Sequence, residues 1–221
     1  MKVLITGTSC GIGRACATTF LQSGHEVYGI DILPSTIDKS EAPRYHHYIA
    51  DVADYDMLPD IYGVEILINN AGVQDSGHDI ETNLKGVINC TKKYGLQPQI
   101  YSILNQASVS AHNGAEFPEY VASKGGVLAY TKHIAQYVAE KYGATCNSLS
   151  FGGVTTPLND PVMKDEECWR EIMNVTPLKK WVTAEEAATW VYFFTVLNRS
   201  CTGQDLIIDN GESILTHFVW K

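Results

Sequence analysis

Residues 3–13, with the sequence VLITGTSCGIG, decide the fold of this chain. The run begins with three apolar residues, which is typical of a buried parallel strand. It then enters a turn with glycine at positions 7, 11 and 13, and helix-tolerant residues follow. A strand, a glycine-rich turn and a helix in this order direct free backbone N–H groups and the positive end of the helix toward an anion. The Gly-x-x-x-Gly-x-Gly spacing differs from the commonest dinucleotide fingerprint, so the turn needs support from the rest of the chain.

Composition limits the classes of protein that this chain can be. It has 221 residues, of which 45% are hydrophobic, and this predicts one globular domain over residues 1–221. No apolar run approaches the roughly 20 residues of a transmembrane helix. Because the first residues already have the pattern of a strand, we expect no signal peptide. The net charge of −9 argues against nucleic-acid binding, which needs clustered Lys and Arg. We therefore expect binding to neither nucleic acid nor membrane.

The cysteines and histidines do not form a pattern typical of a metal site. Six cysteines are scattered along the sequence without a Cys-x-x-Cys pair, which argues against a zinc site or a disulfide framework. Reduced thiols are typical of a cytoplasmic protein, so we predict that compartment. His46 and His47 are adjacent but have no second group of ligands nearby, and we interpret them as a solvated strand end. No metal is predicted.

Strand and helix patterns alternate along the whole sequence. Predicted strands lie at residues 3–5, 27–30, 45–50, 64–68, 99–105, 145–150 and 205–209. Predicted helices lie at 14–22, 81–94, 120–142, 162–174 and 184–197, with room for a short helix in 53–63. This alternation predicts an α/β fold: a doubly wound parallel sheet of the Rossmann type, with helices on both faces.

Asp31 ends the second predicted strand, about 20 residues after the glycine turn. At this spacing a carboxylate accepts hydrogen bonds from the ribose hydroxyls of an adenine dinucleotide and repels a 2′-phosphate. Neither Cys10 nor Ile32 supplies the positive charge that a 2′-phosphate needs, so NAD is favoured over NADP. The alternative is that Asp31 only starts a turn before Pro34.

Taken together, these residues resemble the classical branch of the short-chain dehydrogenase/reductase family along nearly the whole chain. The matching positions are Thr6-Gly7-x-x-x-Gly11-Ile12-Gly13, Asp31, Asp51-Val52, Asn69-Asn70-Ala71-Gly72, Asn83, Ser108, Tyr120-x-x-x-Lys124, Phe151-Gly152 with Thr156, and Thr202-Gly203-Gln204. No single motif decides the matter, but nine motifs in the family's order do not arise by coincidence.

The resemblance implies roles for four catalytic residues. Tyr120 and Lys124 are four residues apart and share one helix face. There the ammonium would lower the tyrosine pKa from about 10 toward neutral, so that Tyr120 acts as the general acid/base. Ser108 would hold the substrate oxygen, with Ser110 as the alternative. Asn83 would hold a water in a proton relay, and Lys124 would also bind the nicotinamide ribose.

The resemblance also implies the residues that bind the cofactor, with Gly152, Val154 and Thr156 beside the nicotinamide. The full set is Gly7, Ser9, Cys10, Gly11, Ile12, Gly13, Asp31, Asp51, Val52, Asn70, Ala71, Gly72, Tyr120, Lys124, Gly152, Val154 and Thr156.

The sequence departs from the family pattern in several places. Segments 53–63 and 73–82 are shorter than usual, and Phe151 replaces a proline. The stretch 157–183, where the family places its substrate lid, carries Met163, Trp169, Met173 and Trp181, which are either core residues or an apolar substrate wall. The apolar tail 217–220 is expected to pack on a partner subunit.

These patterns predict an NAD-dependent oxidoreductase that acts on a small secondary alcohol or ketone, with an apolar substrate favoured. One alternative is a 3-oxoacyl-thioester (acyl carrier protein) reductase that uses NADP. Another is a non-catalytic dinucleotide-sensing protein. The family's habit of pairing the Tyr–Lys helix across a two-fold axis implies a homodimer or homotetramer.

Overall fold

The computed structural model describes residues 1–38 and 40–214. Its main sheet has seven strands, all parallel, in the order β3-β2-β1-β4-β5-β6-β9. They are β1 (Lys2–Thr6), β2 (Glu26–Asp31), β3 (Tyr45–Ile49), β4 (Ile66–Asn69), β5 (Ser102–Ser108), β6 (Thr145–Phe151) and β9 (Asp205–Ile208); the short strands β7 (Val154–Thr155) and β8 (Val182–Thr183) pair separately. The strand order reverses between β1 and β4, so a crevice opens there at the carboxyl ends of the strands. The predicted doubly wound parallel sheet is confirmed.

Helices cover both faces of this sheet. They are α1 (Gly11–Gln22), α2 (Gly86–Cys90), α3 (Ser110–Asn113), α4 (Pro118–Tyr142), α5 (Asp160–Lys164), α6 (Glu166–Val175) and α7 (Ala184–Tyr192). Two π-helical segments, Ile80–Lys85 and Thr91–Gly95, continue α2 at either end, and a third, Phe193–Leu197, continues α7. Short 3₁₀ turns lie at Pro157–Asn159 and Glu212–Ile214.

The core consists of two apolar layers, one on each face of the sheet. Val3 and Ile5 of β1 face the layer beneath α1 and α7, whereas Leu4 faces the layer beneath α4. All three side chains are fully buried. A central strand covered on both faces has to be apolar at every position, which is why the sequence of β1 is a continuous hydrophobic run.

Segment 53–63 contains no helix among the described residues, so the short helix predicted there is wrong. The backbone carbonyls of this segment accept hydrogen bonds from other elements. Lys93 Nζ donates to Leu58 O at 2.6 Å, and Tyr94 Oη donates to Pro59 O at 2.7 Å. Pro59 has no N–H to donate within a helix, which disfavours a helix here. The donors from Lys93 and Tyr94 satisfy the carbonyls instead, and the irregular segment still buries Leu58.

The segment predicted as one helix over 162–174 forms two helices instead. Asp165 has an extended backbone (φ −85°, ψ 102°) and separates α5 from α6. Its side chain caps α6 by accepting hydrogen bonds from the N–H groups of Glu167 and Cys168. The tail 217–220, predicted to pack on a partner, lies outside the described residues.

The strands β7 and β8 pair in parallel and join the two ends of the segment that contains α5 and α6. This pairing brings the chain back from Thr155 to Val182, so residues 156–181 form an excursion from the main sheet. No helix in the described ranges is long and apolar enough to cross a membrane.

Candidate active site

The glycine turn between β1 and α1 requires its glycines for conformation and for space. Gly7 has φ +75° and Gly11 has φ +53°, both in the left-handed region. A Cβ at Gly13 would overlap the carbonyl oxygen of Gly7. Within the described chain no side chain caps the N-terminus of α1, and its first turn carries no acidic residue. The N–H groups at this helix end are therefore available to an anion.

Asp31 ties the end of β2 to the glycine turn. Its carboxylate accepts hydrogen bonds from Ser9 N at 2.8 Å and from Leu33 N at 2.9 Å. The bond to Leu33 fits the turn-starting alternative, and the bond to Ser9 shows that the side chain also organises the glycine turn. Burial, followed by the nearby Asp31 carboxylate, raises the pKa of the Cys10 thiol. The carboxylate thus lies beside the turn that the sequence predicts to hold the dinucleotide.

A cleft of about 500 Å³ lies at the carboxyl ends of β1, β2, β3 and β4. Eleven of the residues predicted to bind the cofactor line it: Gly7, Cys10, Gly11, Ile12, Asp31, Asp51, Val52, Asn70, Ala71, Gly72 and Thr156. Ser9 and Gly13 do not line the cleft and instead shape the turn. Ile32, considered above for the charge it lacks, also lines the cleft, as do Leu33, Val73 and Thr82, which no sequence pattern indicated. Across the described ranges, no Lys, Arg or His lines the cleft.

Asn70 fixes the opposite wall of this cleft. Its Nδ2 donates to Thr6 O at 2.9 Å and to Gly7 O at 3.2 Å, while Thr6 Oγ1 accepts from the N–H groups of Asn70 and Ala71. The end of β4 is thereby held against the glycine turn. The residues present fit a dinucleotide. The uncapped N–H groups of α1 could bind its pyrophosphate, the Asp31 carboxylate could accept hydrogen bonds from its ribose, and the glycine turn leaves room for both beside the same cleft.

A second cavity, of about 620 Å³, adjoins the cleft and shares four lining residues with it: Ile12, Gln106, Thr156 and Leu158. Ser108 and Tyr120 line this second cavity, as do Gly152 and Val154. Ser108 and Ser110, the two serines considered for holding the substrate oxygen, are hydrogen-bonded to each other: Ser108 Oγ donates to Ser110 Oγ at 3.0 Å. Ser110 Oγ in turn donates to the Glu116 carboxylate at 2.8 Å. Ser108, the last residue of β5, is therefore connected to the Glu116 carboxylate through the hydroxyl of Ser110.

Lys124 lies behind Tyr120 and is buried. Its Nζ donates to Gln106 O at 3.0 Å and lies 5.7 Å from the centroid of the Tyr120 ring. Burial lowers the pKa of Lys124 to about 8, while the charge of Asp79 acts to raise it. Lys124 lines neither cavity in the described structure, although Gly72, a residue of the cleft wall, lies next to its Nζ.

The expected lowering of the tyrosine pKa is wrong in this structure. Burial raises the pKa of Tyr120 to about 12, a hydrogen bond with Ser108 acts to lower it, and the charges of Glu116 and Asp79 raise it further. The ammonium of Lys124 is directed at the Gln106 carbonyl and not at the phenol oxygen. The phenol therefore retains its proton at neutral pH.

Asn83 lies in the π-helical segment Ile80–Lys85 and is completely buried. Its Oδ1 accepts from Val73 N at 2.8 Å, and its Nδ2 donates to Val73 O at 2.9 Å and to Ser123 Oγ at 3.1 Å. The side chain therefore joins the cleft wall that follows Gly72 to helix α4. This contact explains why an amide occupies a position in a helix where its propensity is poor. The proton relay remains a prediction.

Asp79 is a buried carboxylate that the sequence did not single out. It is 1% exposed and accepts hydrogen bonds from the N–H groups of Asp75 and Ser76 and from the Ser76 hydroxyl. These bonds fold the shortened segment 73–79 back on itself, and the carboxylate acts on the pKa of both Lys124 and Tyr120.

Of the four large residues predicted as core or substrate wall, only Trp181 lines the second cavity. Its ring lies on the backbone of Gly153, where any Cβ would overlap it, and Trp169 packs edge-on against it with centroids 5.0 Å apart. Trp181 Nε1 donates to Glu212 Oε1 at 3.0 Å. Phe151, the residue in place of the family's proline, is buried and forms part of the same wall.

The sequence analysis did not predict several polar residues that line the second cavity: Gln74, Asn113, Glu116, Asn159, Asn174 and Glu212. They come from loops, from the end of α3, from the excursion between β7 and β8 and from the C-terminal region. No motif spacing connects such positions. Pro118 does indicate a helix start, but nothing indicates that Glu116 before it faces a cavity.

Comparison with known proteins places these features in a family context. Residues 7–213 match a family model described as "Enoyl-(Acyl carrier protein) reductase". The chain is 30% identical over 238 residues to a 3-oxoacyl-[acyl-carrier-protein] reductase, FabG, of Thermotoga maritima, covering 94% of this chain and 96% of the relative.

Solved structures give the same picture. The ligand-free aldohexose dehydrogenase of Thermoplasma acidophilum has a TM-score of 0.87 and 27% identity, with 100% of this chain and 96% of that chain covered. The structure of ElxO with NADP bound has a TM-score of 0.85 and 26% identity, with 97% and 99% covered.

Proposed function

This chain belongs to the short-chain dehydrogenase/reductase family of oxidoreductases, and on that premise we propose that it interconverts a secondary alcohol and its ketone with NAD(H). One observation carries this proposal: Tyr120 and Ser108 line a cavity that opens onto a cleft suited to a dinucleotide, and Lys124 lies behind them. An alcohol oxygen bound at Ser108 and Tyr120 would face the junction between the two cavities.

The proposed cofactor would lie in the cleft and extend into the second cavity. The N-terminus of α1 would hold the pyrophosphate, and Asp31 would accept hydrogen bonds from the adenosine ribose. Lys124 would bind the nicotinamide ribose, with Gly152, Val154 and Thr156 beside the ring. When bound, the nicotinamide supplies the hydride acceptor for the alcohol and the hydride donor for the ketone.

The protein's own residues would handle the proton and the oxygen. In reduction, the Tyr120 O–H bond breaks and its proton forms the hydroxyl of the product; in oxidation the phenolate takes that proton back. Ser108 donates its single O–H to Ser110 Oγ in this structure and would turn it to the substrate oxygen as negative charge develops there. The proton on Tyr120 would be replaced through the relay that includes Lys124 and Asn83.

The preference for NAD(H) is supported by Asp31 and by the absence of a basic side chain among the described residues that line the cleft. ElxO binds NADP, so this preference needs a direct test. We would titrate NADH and NADPH by fluorescence at fixed ionic strength and then measure turnover of a panel of alcohols and ketones. Tighter binding of NADH is expected. Preference for NADPH would contradict the role of Asp31, and binding of neither would contradict the proposed function.

A second candidate is reduction of 3-oxoacyl thioesters with NADPH. It is favoured by the 30% identity to the FabG protein of Thermotoga maritima. Rapid, NADPH-dependent reduction of an acetoacetyl thioester, together with poor turnover of free alcohols, would establish this activity in place of the first.

We also propose that the protein is a cytoplasmic homo-oligomer. Trp190, Phe193 and Leu197 project from α7 and its π-helical extension with 41%, 46% and 61% of their surface exposed. This spacing places them on one helix face that a partner subunit could cover. Light scattering coupled to size-exclusion chromatography would test the oligomer, with a monomer as the contrary result.

The cytoplasmic location is supported by the cysteines. All six thiols are unpaired in the described structure, which suits a reducing compartment.

A further inference from the structure

We propose that the substrate is uncharged and carries a hydroxyl group beside the reacting carbon, as a vicinal diol or hydroxyketone does, and that Glu116 selects it. This inference rests on the proposed function, because it names the substrate of the cavity that Tyr120 and Ser108 line. It replaces the apolar substrate that the sequence favours.

The charge of the cavity wall excludes one class of substrate. Glu116 and Glu212 both line the cavity, and in the described part of the chain it has no Lys, Arg or His in its lining. A substrate carboxylate or phosphate would therefore meet two negative charges and no positive partner. Glu212 is half-buried and Glu116 is exposed, so solvent reduces this repulsion, but both charges still disfavour an anionic substrate relative to an uncharged one.

Glu116 is held in a defined position within this wall. Its backbone adopts φ +76°, which is uncommon for a residue other than glycine. Its Oε2 accepts hydrogen bonds from Ser110 Oγ at 2.8 Å and from Gln74 Nε2 at 3.1 Å. Because Ser110 also accepts from Ser108, the carboxylate lies two hydrogen bonds away from the hydroxyl that is proposed to hold the substrate oxygen. A second hydroxyl on the adjacent carbon would fall near Glu116.

The remaining hydrogen-bonding capacity of the wall suits hydroxyl groups. Oε2 of Glu116 and Oε1 of Glu212 each already accept from two neutral donors, which in the case of Glu212 are Thr176 and Trp181. The amides of Asn113 and Asn174 offer both donors and acceptors. A hydroxyl can donate to a carboxylate and accept from an amide, whereas an ammonium can only donate. An uncharged diol therefore satisfies this wall more completely than a cation does.

A panel of matched cyclic alcohols tests the substrate class. Its members are cyclohexanol, cyclohexane-1,2-diol, 2-aminocyclohexanol and 2-hydroxycyclohexanecarboxylate, each oxidised by the full chain with saturating NAD. We expect kcat/KM for the diol to exceed that for cyclohexanol by about tenfold or more, since a site built for a hydroxyl rejects an analogue that lacks it. The carboxylate should be the poorest substrate.

The variant Glu116→Gln tests the residue. It keeps the size of the side chain but removes the charge, so we expect the diol-to-cyclohexanol ratio of kcat/KM to fall about tenfold, mainly through KM. Glu119→Gln removes the same charge from an exposed position on α4 that lines neither cavity, and it should leave the ratio unchanged. Calorimetric titration of the diol into NADH-loaded protein gives a second readout, in which Glu116→Gln should weaken binding by a similar factor.

The outcomes separate this inference from the proposed function. Turnover that favours cyclohexanol, the amine or the carboxylate would overturn the substrate class while leaving the dehydrogenase activity in place. Cofactor binding without turnover of any of the four alcohols would overturn this inference, and it would overturn the proposed dehydrogenase activity as well if the wider panel of alcohols and ketones is also inert. An unchanged ratio in Glu116→Gln would overturn the role of Glu116. Failure to bind either nicotinamide cofactor would overturn the proposed function and this inference with it.

Discussion

The two adjoining cavities are built from different parts of the chain. The cleft is lined mostly by residues at the ends of β1, β2, β3 and β4, which the sheet itself brings together. The second cavity is lined by the end of β5, the loop after it, the excursion between β7 and β8, and Glu212 near the end of the described chain. The position of the cleft therefore follows from the fold, whereas the chemistry of the second cavity depends on side chains that the fold leaves free to vary.

Tyr120→Phe should separate the functions of the two cavities most sharply. The phenol lines the second cavity only, so its loss should lower kcat about 1,000-fold by removing the acid/base group. The affinity for NADH should be unchanged. Steady-state turnover and a fluorescence titration on the same preparation measure both quantities. Near-normal turnover of the variant would show that Tyr120 is not the acid/base group, whereas a wild-type protein that binds NADH and turns over no alcohol or ketone would favour a dinucleotide-sensing protein.

Gly13→Ala should damage the cleft first. The added methyl group would overlap Gly7 O, so the glycine turn would have to move, and NADH affinity should fall by about 100-fold or more, as expected for displaced binding groups. Gly125→Ala is the matched control, because a Cβ there meets nothing within 4 Å and alanine favours the helix. Equal NADH affinities in the two variants would show that the turn does not hold the cofactor.

Lys124→Met should stabilise the fold while it abolishes activity. A buried lysine whose pKa falls from 10.5 to about 8 costs roughly 3 kcal/mol at neutral pH, less roughly 1 kcal/mol for the bond to Gln106. The free energy of unfolding at pH 7 should therefore rise by about 2 kcal/mol. The wild-type protein gains stability as the pH rises from about 8 through 10.5, so the difference between the two proteins should narrow there.

Chemical denaturation at pH 7 and pH 10 measures this difference. Lys92→Met serves as the control, because Lys92 is exposed and its replacement should change stability little. A Lys124→Met protein that is less stable than wild type at pH 7 would mean that the bond to Gln106 outweighs the cost of burial.

Asp31→Asn should change the cleft without affecting the second cavity. Removing the negative charge should weaken NADH binding and strengthen NADPH binding, so that the ratio of the two dissociation constants shifts about tenfold. Asp38→Asn, an exposed change of the same charge in the loop after β2, should leave the ratio as it is. If both variants shift the ratio equally, general electrostatics and not Asp31 sets the preference.

The pH dependence of ketone reduction should show whether the reaction needs the charge on Lys124, which lies behind Tyr120. Tyr120, with a pKa of about 12, keeps its proton over the working range, but Lys124 loses its charge above about pH 8. The reduction rate at saturating NADH should therefore be level at lower pH and fall to about half near pH 8. A rate that stays constant to pH 10 would mean that the charge on Lys124 is not needed.

The sequence predicted correctly the features that depend on backbone conformation and on burial of whole strands. The glycine turn, the apolar run of β1 and the alternation of strands and helices reflect conformational needs that few residue types meet. Asn83 could be recognised because an amide in a helix needs a partner, and Val73 supplies it. Glu116 could not be recognised, because its bond from Gln74 joins segments that are distant in sequence. Asp79 accepts its hydrogen bonds from the neighbouring Asp75 and Ser76, but its influence on Lys124 and Tyr120 depends on how the fold places that loop against α4. The irregular path of 53–63 likewise depends on donors from Lys93 and Tyr94.

The contact between Trp181 and Gly153 restricts the order in which this protein can evolve. No side chain fits at position 153 while the indole ring lies on its backbone. A smaller residue at position 181 must come first, and it opens space that a later substitution at 153 can fill. The reverse order passes through a protein with overlapping atoms, which selection for folding removes. Ancestors and engineered descendants with a reshaped cavity should therefore share a change at 181 before they differ at 153.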